Sequence, residues 1–358
     1  MSENQSLPGA LRRQAAADPE SPFLFWPDGW NWRWWSWRET AELVARWAAP
    51  LAGLPPACGV AFAGAAYPEA IALDLAVQSA GLTPVPLGPL WVGGGAGGHG
   101  REGREVQRAA PALEAAERAG CLAWLEVVGG EARVTRLEAS VGGAAPAAAA
   151  PGMTAAAATV PGMAEAPADP GIAAAGAMPG LAAPPPSGSA AVPLGDPGVL
   201  VTGAAGSWRL LSQSELLAAA AEVESAIASR SGRHADSRNR EILVAGWPLQ
   251  EWAGRLLAAW AVAAGAALVF EADPAQRLGA VLWARPTVFH GTAEELAALR
   301  LRVGAARWPR RWRRRPVPPL GRLRALFQHE PPAADDVAFW RQRGAQLVRL
   351  PGLGDAWR

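Results

Sequence analysis

The fold class of this chain is decided by the stretch Gly59-Val-Ala-Phe-Ala-Gly-Ala-Ala-Tyr-Pro-Glu-Ala-Ile-Ala-Leu-Asp-Leu-Ala-Val-Gln-Ser-Ala-Gly-Leu-Thr-Pro-Val-Pro-Leu87. Its first five residues are apolar apart from the leading glycine, and Gly64 follows them directly. This pattern predicts a short buried strand. Pro68 to Ala80 predict an apolar helix that Gly81 stops, and Thr83–Leu87 predict a second strand. This strand–helix–strand order is typical of a parallel sheet with helices packed on it.

The same alternation of strands and helices extends in both directions from this stretch. Before it, residues 38–54 have apolar side chains at helical spacing. After a Gly-rich gap, residues 105–119 predict a helix, and Cys121–Val128 and Ala132–Leu137 predict strands. In the second half, strands are predicted at Val199–Val201, Glu241–Ala245, Ala267–Glu271, Thr287–Phe289, Leu323–Phe327 and Gln346–Leu350. The helices predicted between them are Ser214–Ser229, Trp252–Ala264, Ala275–Leu282, Ala293–Val303 and Ala333–Arg343.

The composition changes abruptly in the middle of the chain. Residues 141–197 are almost entirely Ala, Gly, Pro and Met, with hardly a charge. Such a stretch cannot bury enough apolar surface to offset the entropy lost on ordering, so a flexible linker is predicted, with decayed sequence as the alternative. The predicted organisation is a first α/β subdomain at 1–140, the linker at 141–197 and a second α/β subdomain at 198–358.

The composition also limits the chemistry and the compartment. The 358 residues are half hydrophobic and carry a net charge of +1, so no global field attracts nucleic acid or membranes. All 33 basic residues are Arg, which excludes chemistry that needs a lysine amine. Cys58 and Cys121 form no C-x-x-C motif, and neither a secretory signal nor an apolar run of about 20 residues is visible. A cytoplasmic protein without a membrane span is therefore expected.

One loop has the composition of a phosphate-binding site. It lies in Val199-Leu-Val-Thr-Gly-Ala-Ala-Gly-Ser-Trp-Arg209, where a strand enters a Gly/Ser/Thr loop and a helix is expected to follow. The backbone N–H groups of such a loop and the positive end of a helix suit a phosphate. A glycine turn between a strand and a helix is also common as a purely structural connection, so the loop alone leaves both interpretations open.

This loop resembles the phosphate-binding loop of the adenylate-forming enzymes, the AMP-dependent synthetases and ligases that include the acyl-CoA synthetases. The family pattern is a hydrophobic strand, then Thr-Ser-Gly-Thr-Thr-Gly-x-Pro-Lys-Gly, then a helix. Gly203 and Gly206 retain both glycines, whereas Ala204 and Ala205 stand where the family has threonines. An arginine replaces the lysine. By this resemblance, the residues expected to contact ATP or AMP are Thr202, Gly203, Gly206, Ser207 and Arg209.

Further segments are similar to the same family in the same order. The segments that resemble its opening subdomain are Trp35–Leu43, Gly59–Phe62, Tyr67–Glu69 and Ala80–Leu87. Pro248–Arg255 resembles the Pro-Leu-x-His-x-x-Glu-Arg segment of long-chain acyl-CoA synthetases, with Glu251 in the histidine position. Arg285–Phe289 and Leu323–Asp355 follow the spacing of later strands and helices. The resemblance implies two mostly parallel sheets flanked by helices, as in the N-terminal domain of these enzymes.

The last segment of the sequence departs most from the family. In the family, a Tyr-Gly-x-Thr-Glu motif stacks on adenine, holds the phosphate and holds magnesium. Pro351-Gly-Leu-Gly-Asp355 stands in its place. The resemblance leaves Gly352 as an expected nucleotide contact and Asp355 as the expected ligand of Mg²⁺. The family's mobile C-terminal domain, with its catalytic lysine, is expected to be missing.

Three other groups of residues could carry chemistry. His290 is expected at a strand end, where open α/β sheets often hold functional residues, although a packed polar residue is the simpler interpretation. Six arginines and two tryptophans between residues 307 and 315 could bind phosphates or bases, or form a solvated loop. Six tryptophans between residues 26 and 37 form either an aromatic surface or the packing of a hairpin around Pro27-Asp28-Gly29. The histidines and cysteines fit no metal spacing.

The resemblance implies an ATP-dependent acid–thiol ligase. In that reaction a carboxylic acid, such as a fatty acid, attacks the α-phosphate of ATP to give an acyl-AMP and pyrophosphate, and coenzyme A then takes the acyl group and releases AMP. The lost hydroxyls at Ala204, Ala205 and Gly354 favour a pseudoenzyme that binds nucleotide or acyl ligand with little or no turnover. A partner of a complete synthetase chain and an Arg/Trp-mediated binder of anionic surfaces are the alternatives, and the catalytic residues stay unassigned.

Overall fold

The structure is a computed structural model in which much of the chain is described. The described residues are 6–28, 31–63, 68–87, 121, 123–128, 130–137, 198–202, 208–231, 241–246, 249, 251–271, 273–305, 322–328, 331 and 333–350. Their helices are α1 Leu7–Ala17, α2 Trp37–Ala48, α3 Pro68–Ser79, α4 Gln213–Ser231, α5 Trp252–Ala264, α6 Pro274–Ala284, α7 Ala293–Ala305 and α8 Ala334–Arg341. Their strands are β1 Pro22–Asp28, β2 Asn31–Ser36, β3 Gly59–Ala63, β4 Thr83–Leu87, β5 Ala123–Val128, β6 Glu131–Arg136, β7 Gly198–Thr202, β8 Trp208–Ser212, β9 Ile242–Ala245, β10 Ala267–Phe270, β11 Val288–His290, β12 Ala325–Gln328 and β13 Gln346–Arg349.

The larger sheet has seven strands in the order β13-β12-β11-β9-β10-β1-β2. All neighbours run parallel except β1 and β2, which form an antiparallel hairpin at one edge. Leu243 and Leu268 belong to the larger core cluster, whereas the next residues, Val244 and Val269, belong to a second cluster. Since successive residues of a strand point to opposite faces, both faces of this sheet are buried. That burial explains why β9 and β10 are apolar without alternation.

The smaller sheet has four strands in the order β4-β3-β5-β6. Strand β3 runs parallel to β4 and β5, and β6 is antiparallel to β5. Strands β7 and β8 form a separate antiparallel hairpin, in which β7 lies close to β4. The predicted fold class, two mostly parallel sheets flanked by helices, is confirmed.

Helices cover both faces of the seven-stranded sheet. The larger cluster takes side chains from α1 to α5 and from strands of both sheets, so it joins the two sheets. The smaller cluster takes side chains from α6, α7 and α8 on the opposite face. Helix α5 lies deepest, because every residue from Trp252 to Val262 is buried. Within the described part of the chain, no helix is long and apolar enough to cross a membrane.

Local capping fixes where α2 begins and α5 ends. Ser36 Oγ accepts the N–H of Glu39 at 3.1 Å, and the Glu39 carboxylate accepts the N–H of Ser36 at 2.7 Å. This reciprocal pair satisfies two N–H groups at the helix start. Gly265 ends α5 with φ of 72°, and a Cβ there would lie 2.8 Å from Oε1 of Gln14. Only glycine fits this position without strain.

Two elements were not expected from the sequence, α1 and β8. Helix α1 begins at a cap in which Ser6 Oγ accepts the N–H of Gly9 at 3.1 Å. Its buried residues all lie in the first half, Leu7 to Leu11, which is too short for a clear periodicity. The seven-stranded sheet takes β1 and β2 from the 1–140 segment and its other strands from the 198–358 segment. The helix predicted at 105–119 and the 141–197 segment lie outside the described residues.

Candidate functional site

The predicted phosphate loop connects the two strands of the β7–β8 hairpin. Thr202 ends β7 and pairs with Trp208, and Val201 pairs with Arg209. The prediction that a helix follows the loop directly is wrong, because β8 comes first and α4 begins at Gln213. The start of α4 is therefore separated from the loop by the length of β8, roughly 13 Å. A helix dipole acts within about one turn, so α4 does not contribute to this loop.

The start of α4 is also closed by its own side chains. Ser212 Oγ accepts the N–H of Glu215 at 3.1 Å, and the Glu215 carboxylate accepts the N–H of Ser212 at 2.7 Å. This capping box satisfies donors that an anion at the helix end would otherwise bind. These two N–H groups at the start of α4 are therefore not available to a phosphate.

The other residues expected at the nucleotide site are only partly covered by the structure. Backbone pairing is described for Thr202 and Arg209, which lie on opposite strands within two positions of the turn. The expected site residues that lie outside the described residues are Gly203, Gly206, Ser207, Gly352 and Asp355. The Arg-rich stretch between residues 307 and 315 lies outside them as well.

The carboxyl edge of the seven-stranded sheet holds a buried ion pair that the sequence did not predict. Parallel strands β9, β10 and β11 end together at this edge, which is where open α/β sheets commonly bind ligands. Arg277 of α6 donates from Nη1 to Glu295 of α7 at 2.5 Å and from Nε to the carbonyl oxygen of Glu271 at 2.9 Å. Glu295 also accepts the N–H of Thr292 at 2.9 Å. The pair thus ties two helix starts to the ends of two strands.

Gly246, directly after β9, leaves room for this ion pair. A Cβ at that position would lie 2.1 Å from Cζ of Arg277, far inside van der Waals contact. The Arg277 side chain cannot easily move away, because it is held by Glu295 and by the carbonyl of Glu271. Gly246 and Arg277 therefore depend on each other sterically, and a glycine directly after an apolar strand is a sequence feature that could have marked this close approach.

His290 is the last residue of β11 and is completely buried. The next residue, Gly291, donates its N–H to the carbonyl oxygen of Phe327 on β12 at 3.2 Å, which continues the pairing of the two strands. This placement supports the simpler interpretation of His290 as a packed residue at a strand end. Among the described residues, no group of three His, Cys, Asp or Glu side chains could hold a metal ion.

Glu251 is a largely buried carboxyl with a raised pKa. It precedes α5 as the N-cap residue, but its side chain makes no capping hydrogen bond. Burial raises the pKa of this carboxyl from 4.5 to about 7. The sequence comparison placed Glu251 where long-chain acyl-CoA synthetases have a histidine, and a carboxyl with such a pKa can also gain or lose a proton near neutral pH.

The tryptophan-rich segment forms the predicted hairpin, β1 and β2. The rings of Trp26 and Trp35 pack edge to face with their centroids 4.9 Å apart, and Trp35 packs against the larger core cluster. On the other side, Trp32 stacks on Trp283 of α6 at 4.2 Å. Trp34 and Trp283 stay 46% and 47% exposed, so hairpin packing accounts for most of this cluster and leaves a small aromatic surface.

Comparison with known proteins agrees with this architecture. The profile of the AMP-binding enzyme family matches residues 11–95, which run from α1 through β4. The structure of IdnL1 superposes with a TM-score of 0.59 at 16% identity, over 96% of this chain and 60% of that one. The N-terminal domain of FACL13 from Mycobacterium tuberculosis gives 0.56 at 12% identity, over 96% and 75%. This chain has the fold of the adenylate-forming enzymes.

The likeness to adenylate-forming enzymes is structural more than sequential. A third structure, a putative long-chain-fatty-acid CoA ligase from Rhodopseudomonas palustris, gives a TM-score of 0.55 at 18% identity, over 96% of this chain and 74% of that one. No curated protein matches the sequence. The chain spans between three fifths and three quarters of these solved structures and corresponds to their N-terminal domain.

Proposed function

We propose that this chain binds ATP or AMP at the turn of the β7–β8 hairpin and has little or no ligase turnover by itself. One observation carries the proposal. A chain with the fold of the adenylate-forming enzymes connects two antiparallel strands by a loop that retains both glycines of the family's phosphate loop. Such a turn can direct several backbone N–H groups at one phosphate group.

The residues beside the turn supply chemistry that suits a nucleotide. Thr202 brings a hydroxyl and Arg209 a guanidinium, and their strands place both next to the loop. Arginine binds phosphate oxygens through charge-assisted hydrogen bonds. Asp355 would hold Mg²⁺ through its carboxylate, and Gly352 would let the backbone approach the nucleotide. Bound Mg²⁺ would supply charge compensation for the phosphates.

The same loop argues against efficient adenylation. Ala204 and Ala205 have no hydroxyl where the family has two threonines, and Gly354 has none where it has a third. Removing one preorganised donor from a developing charge typically costs about 10²–10³ in rate. Arg209 supplies charge, but its planar fork differs in size and geometry from a lysine ammonium. The proposal is therefore a nucleotide-binding pseudoenzyme.

Calorimetric titration of the 358-residue protein with ATP and Mg²⁺ tests the binding part. Arg209→Ala should weaken binding roughly 10- to 150-fold, since a hydrogen bond to a charged group contributes about 1.5–3 kcal/mol. Arg302→Ala is the matched control, because Arg302 is an exposed arginine in the last turn of α7. Absence of ATP and AMP binding to the folded wild type, or equal affinity in the Arg209 variant, would overturn the site.

ATP–pyrophosphate exchange with a panel of fatty acids tests the turnover part. The wild type should exchange at background, and Ala204→Thr/Ala205→Thr/Arg209→Lys should raise exchange at least about tenfold by returning the family's donors. Acyl-CoA formation at a robust rate by the wild type alone would refute the pseudoenzyme. Fatty acids are the first panel because the Rhodopseudomonas palustris structure is described as a putative long-chain-fatty-acid CoA ligase.

One further role follows from the same proposal. A chain that binds nucleotide without turnover can act as a partner of a complete synthetase, with coenzyme A and the acyl product handled by that chain. Co-purification with a tagged synthetase, with and without ATP, tests this role.

We place the protein in the cytoplasm, because Cys58 and Cys121 are both free thiols, as a reducing compartment allows.

A further inference from the structure

A buried cluster of polar side chains joins α3 to α5. Nη1 of Arg255 donates a hydrogen bond to Oδ1 of Asp74, and Nε2 of Gln78 donates to the other Asp74 oxygen at 2.7 Å. The side chains of Arg255 and Asp74 are 1% and 7% exposed, so water on the protein surface does not reach the pair. Each carboxylate oxygen accepts one of these hydrogen bonds and keeps a second lone pair, and the charges of Arg255 and Asp74 balance.

Two nitrogen atoms of Arg255 take no part in this pairing. Its Nε and Nη2 are buried and have no hydrogen-bond partner among the residues that the structure describes. A buried donor without a partner costs its full desolvation penalty, and such groups in proteins are almost always bonded to protein or to ordered water. The N–H groups on Nε and Nη2 of Arg255 therefore need a small hydrogen-bond acceptor nearby.

A cavity lies beside this guanidinium. Its walls are Asp74, Arg255 and the apolar side chains of Leu7, Ile71, Leu75, Ala258, Ala259 and Val262. The cavity volume is about 10 Å³, close to the 10–15 Å³ or so that one water molecule needs on the same measure. The space admits one water molecule and excludes a nucleotide, an acyl chain or a phosphate.

We propose that Arg255 and this cavity form an internal hydration site that holds one water molecule between α1, α3 and α5. The water accepts hydrogen bonds from the free donors of Arg255 and can donate to Asp74, which supplies the two or more polar partners that a buried water requires. Burial raises the pKa of Asp74, and the charge of Arg255 with the hydrogen bonds from Arg255 and Gln78 opposes that rise. Because the ion pair is balanced and the other walls are apolar, a second anion would be buried without compensation.

This site lies at the joint between the two sheets. Helix α3 connects β3 to β4 of the smaller sheet, and α5 connects β9 to β10 of the larger one. The water would bond to the Arg255 guanidinium of the ion pair that bridges the two helices, so it would stabilise the packing of one sheet layer on the other. The inference does not depend on nucleotide binding.

A crystal structure at a resolution that shows ordered water tests the proposal directly. The expected result is a solvent peak within about 2.7–3.2 Å of Nε or Nη2 of Arg255. A structure in which these atoms bond to protein groups, or in which the cavity has collapsed, would overturn it.

A thermal-denaturation cycle tests it in solution. Ala258→Val adds two methyl groups at the cavity wall and should displace the water, so it should lower Tm in the wild type. In the Asp74→Leu/Arg255→Met background the cavity holds no polar donor, and the same change should lower Tm by at least about 2 °C less. An equal or larger loss in that background would contradict the proposal. Exchange of chloride for gluconate at constant ionic strength should leave the wild-type Tm unchanged, and higher stability in chloride would show that the ligand is an anion.

Discussion

Replacing Glu251 by glutamine should stabilise the protein at alkaline pH and leave its stability nearly unchanged near pH 4.5. Burial raises the pKa of the Glu251 carboxyl from 4.5 to about 7, so the folded state favours the protonated form. The unfolded chain has no such preference and ionises at the ordinary pKa. Ionisation of Glu251 therefore opposes folding, and glutamine keeps the shape of the protonated acid without the charge.

The sign and size of the effect follow from proton linkage. Below the unfolded pKa of 4.5 the Glu251 carboxyl is protonated in both the folded and the unfolded state, so its ionisation does not lower the free energy of unfolding. As the pH rises from 4.5 through about 7, the unfolded state ionises first, and the wild type loses stability. Above that window the loss is complete, and a shift of this size corresponds to about 3 kcal/mol. Partial exposure of the side chain makes this an upper value, so we expect 2–3 kcal/mol, roughly.

Urea denaturation of the wild type and Glu251→Gln at pH 4.5 and pH 8 measures the effect. The free energy of unfolding should differ by less than about 0.5 kcal/mol at pH 4.5 and by about 2–3 kcal/mol at pH 8, with the variant more stable. Glu222→Gln, at an exposed position of α4, is the control for the loss of one carboxylate. If the difference in free energy of unfolding between Glu251→Gln and the wild type were equal at the two pH values, the reasoning would be refuted.

Three other variants or modifications probe described contacts. Arg277→Met should lower the free energy of unfolding by about 3–5 kcal/mol in urea, because it leaves Glu295 buried and unpaired, whereas Arg300→Met at a half-exposed ion pair should cost under about 1 kcal/mol. Equal costs would mean that burial does not govern these pairs. Gly246→Ala should cost about 1–3 kcal/mol in the wild type and clearly less in the Arg277→Met background, where no guanidinium opposes the new methyl group. An equal loss of stability from Gly246→Ala in the two backgrounds would show that the new methyl group does not meet the Arg277 side chain. Burial and the neighbouring Cys58 raise the pKa of the Cys121 thiol to about 12, so iodoacetamide at pH 8 should label Cys121 only after unfolding, as mass spectrometry would show.

The elements of this fold could be predicted from the sequence where apolar residues formed a continuous block. Helices α3 and α5 are buried along almost their whole length, and the sequence predicted both of them, because a long apolar run between glycines has few other interpretations. Strand β8 was missed, since five residues between a glycine loop and a strong helix carry little strand signal. Its position depends on pairing with β7, which no local pattern reveals.

The candidate site was predictable only as a motif. Gly203 and Gly206 could be recognised by resemblance, but the strand that follows the loop changes which groups can meet a phosphate. The pair of Arg277 and Glu295 could not be recognised at all, because two charged residues 18 positions apart on different helices are usual on any protein surface. Their burial depends on where β9, β10 and β11 end relative to one another, which is a property of the assembled sheet.

The position of β1 in the sheet imposes a delay between its synthesis and its pairing with β10. Leu24 pairs in parallel with Leu268, a residue that leaves the ribosome roughly 240 residues later. At about 5–20 residues per second, the tryptophan-rich hairpin waits some 12–50 s for the strand that will cover its inner edge. During that interval β1 exposes a strand edge beside a dense aromatic surface, which is a template for pairing with other nascent chains. Slower elongation lengthens this interval, so dependence on a chaperone that binds the first forty residues should rise as translation slows.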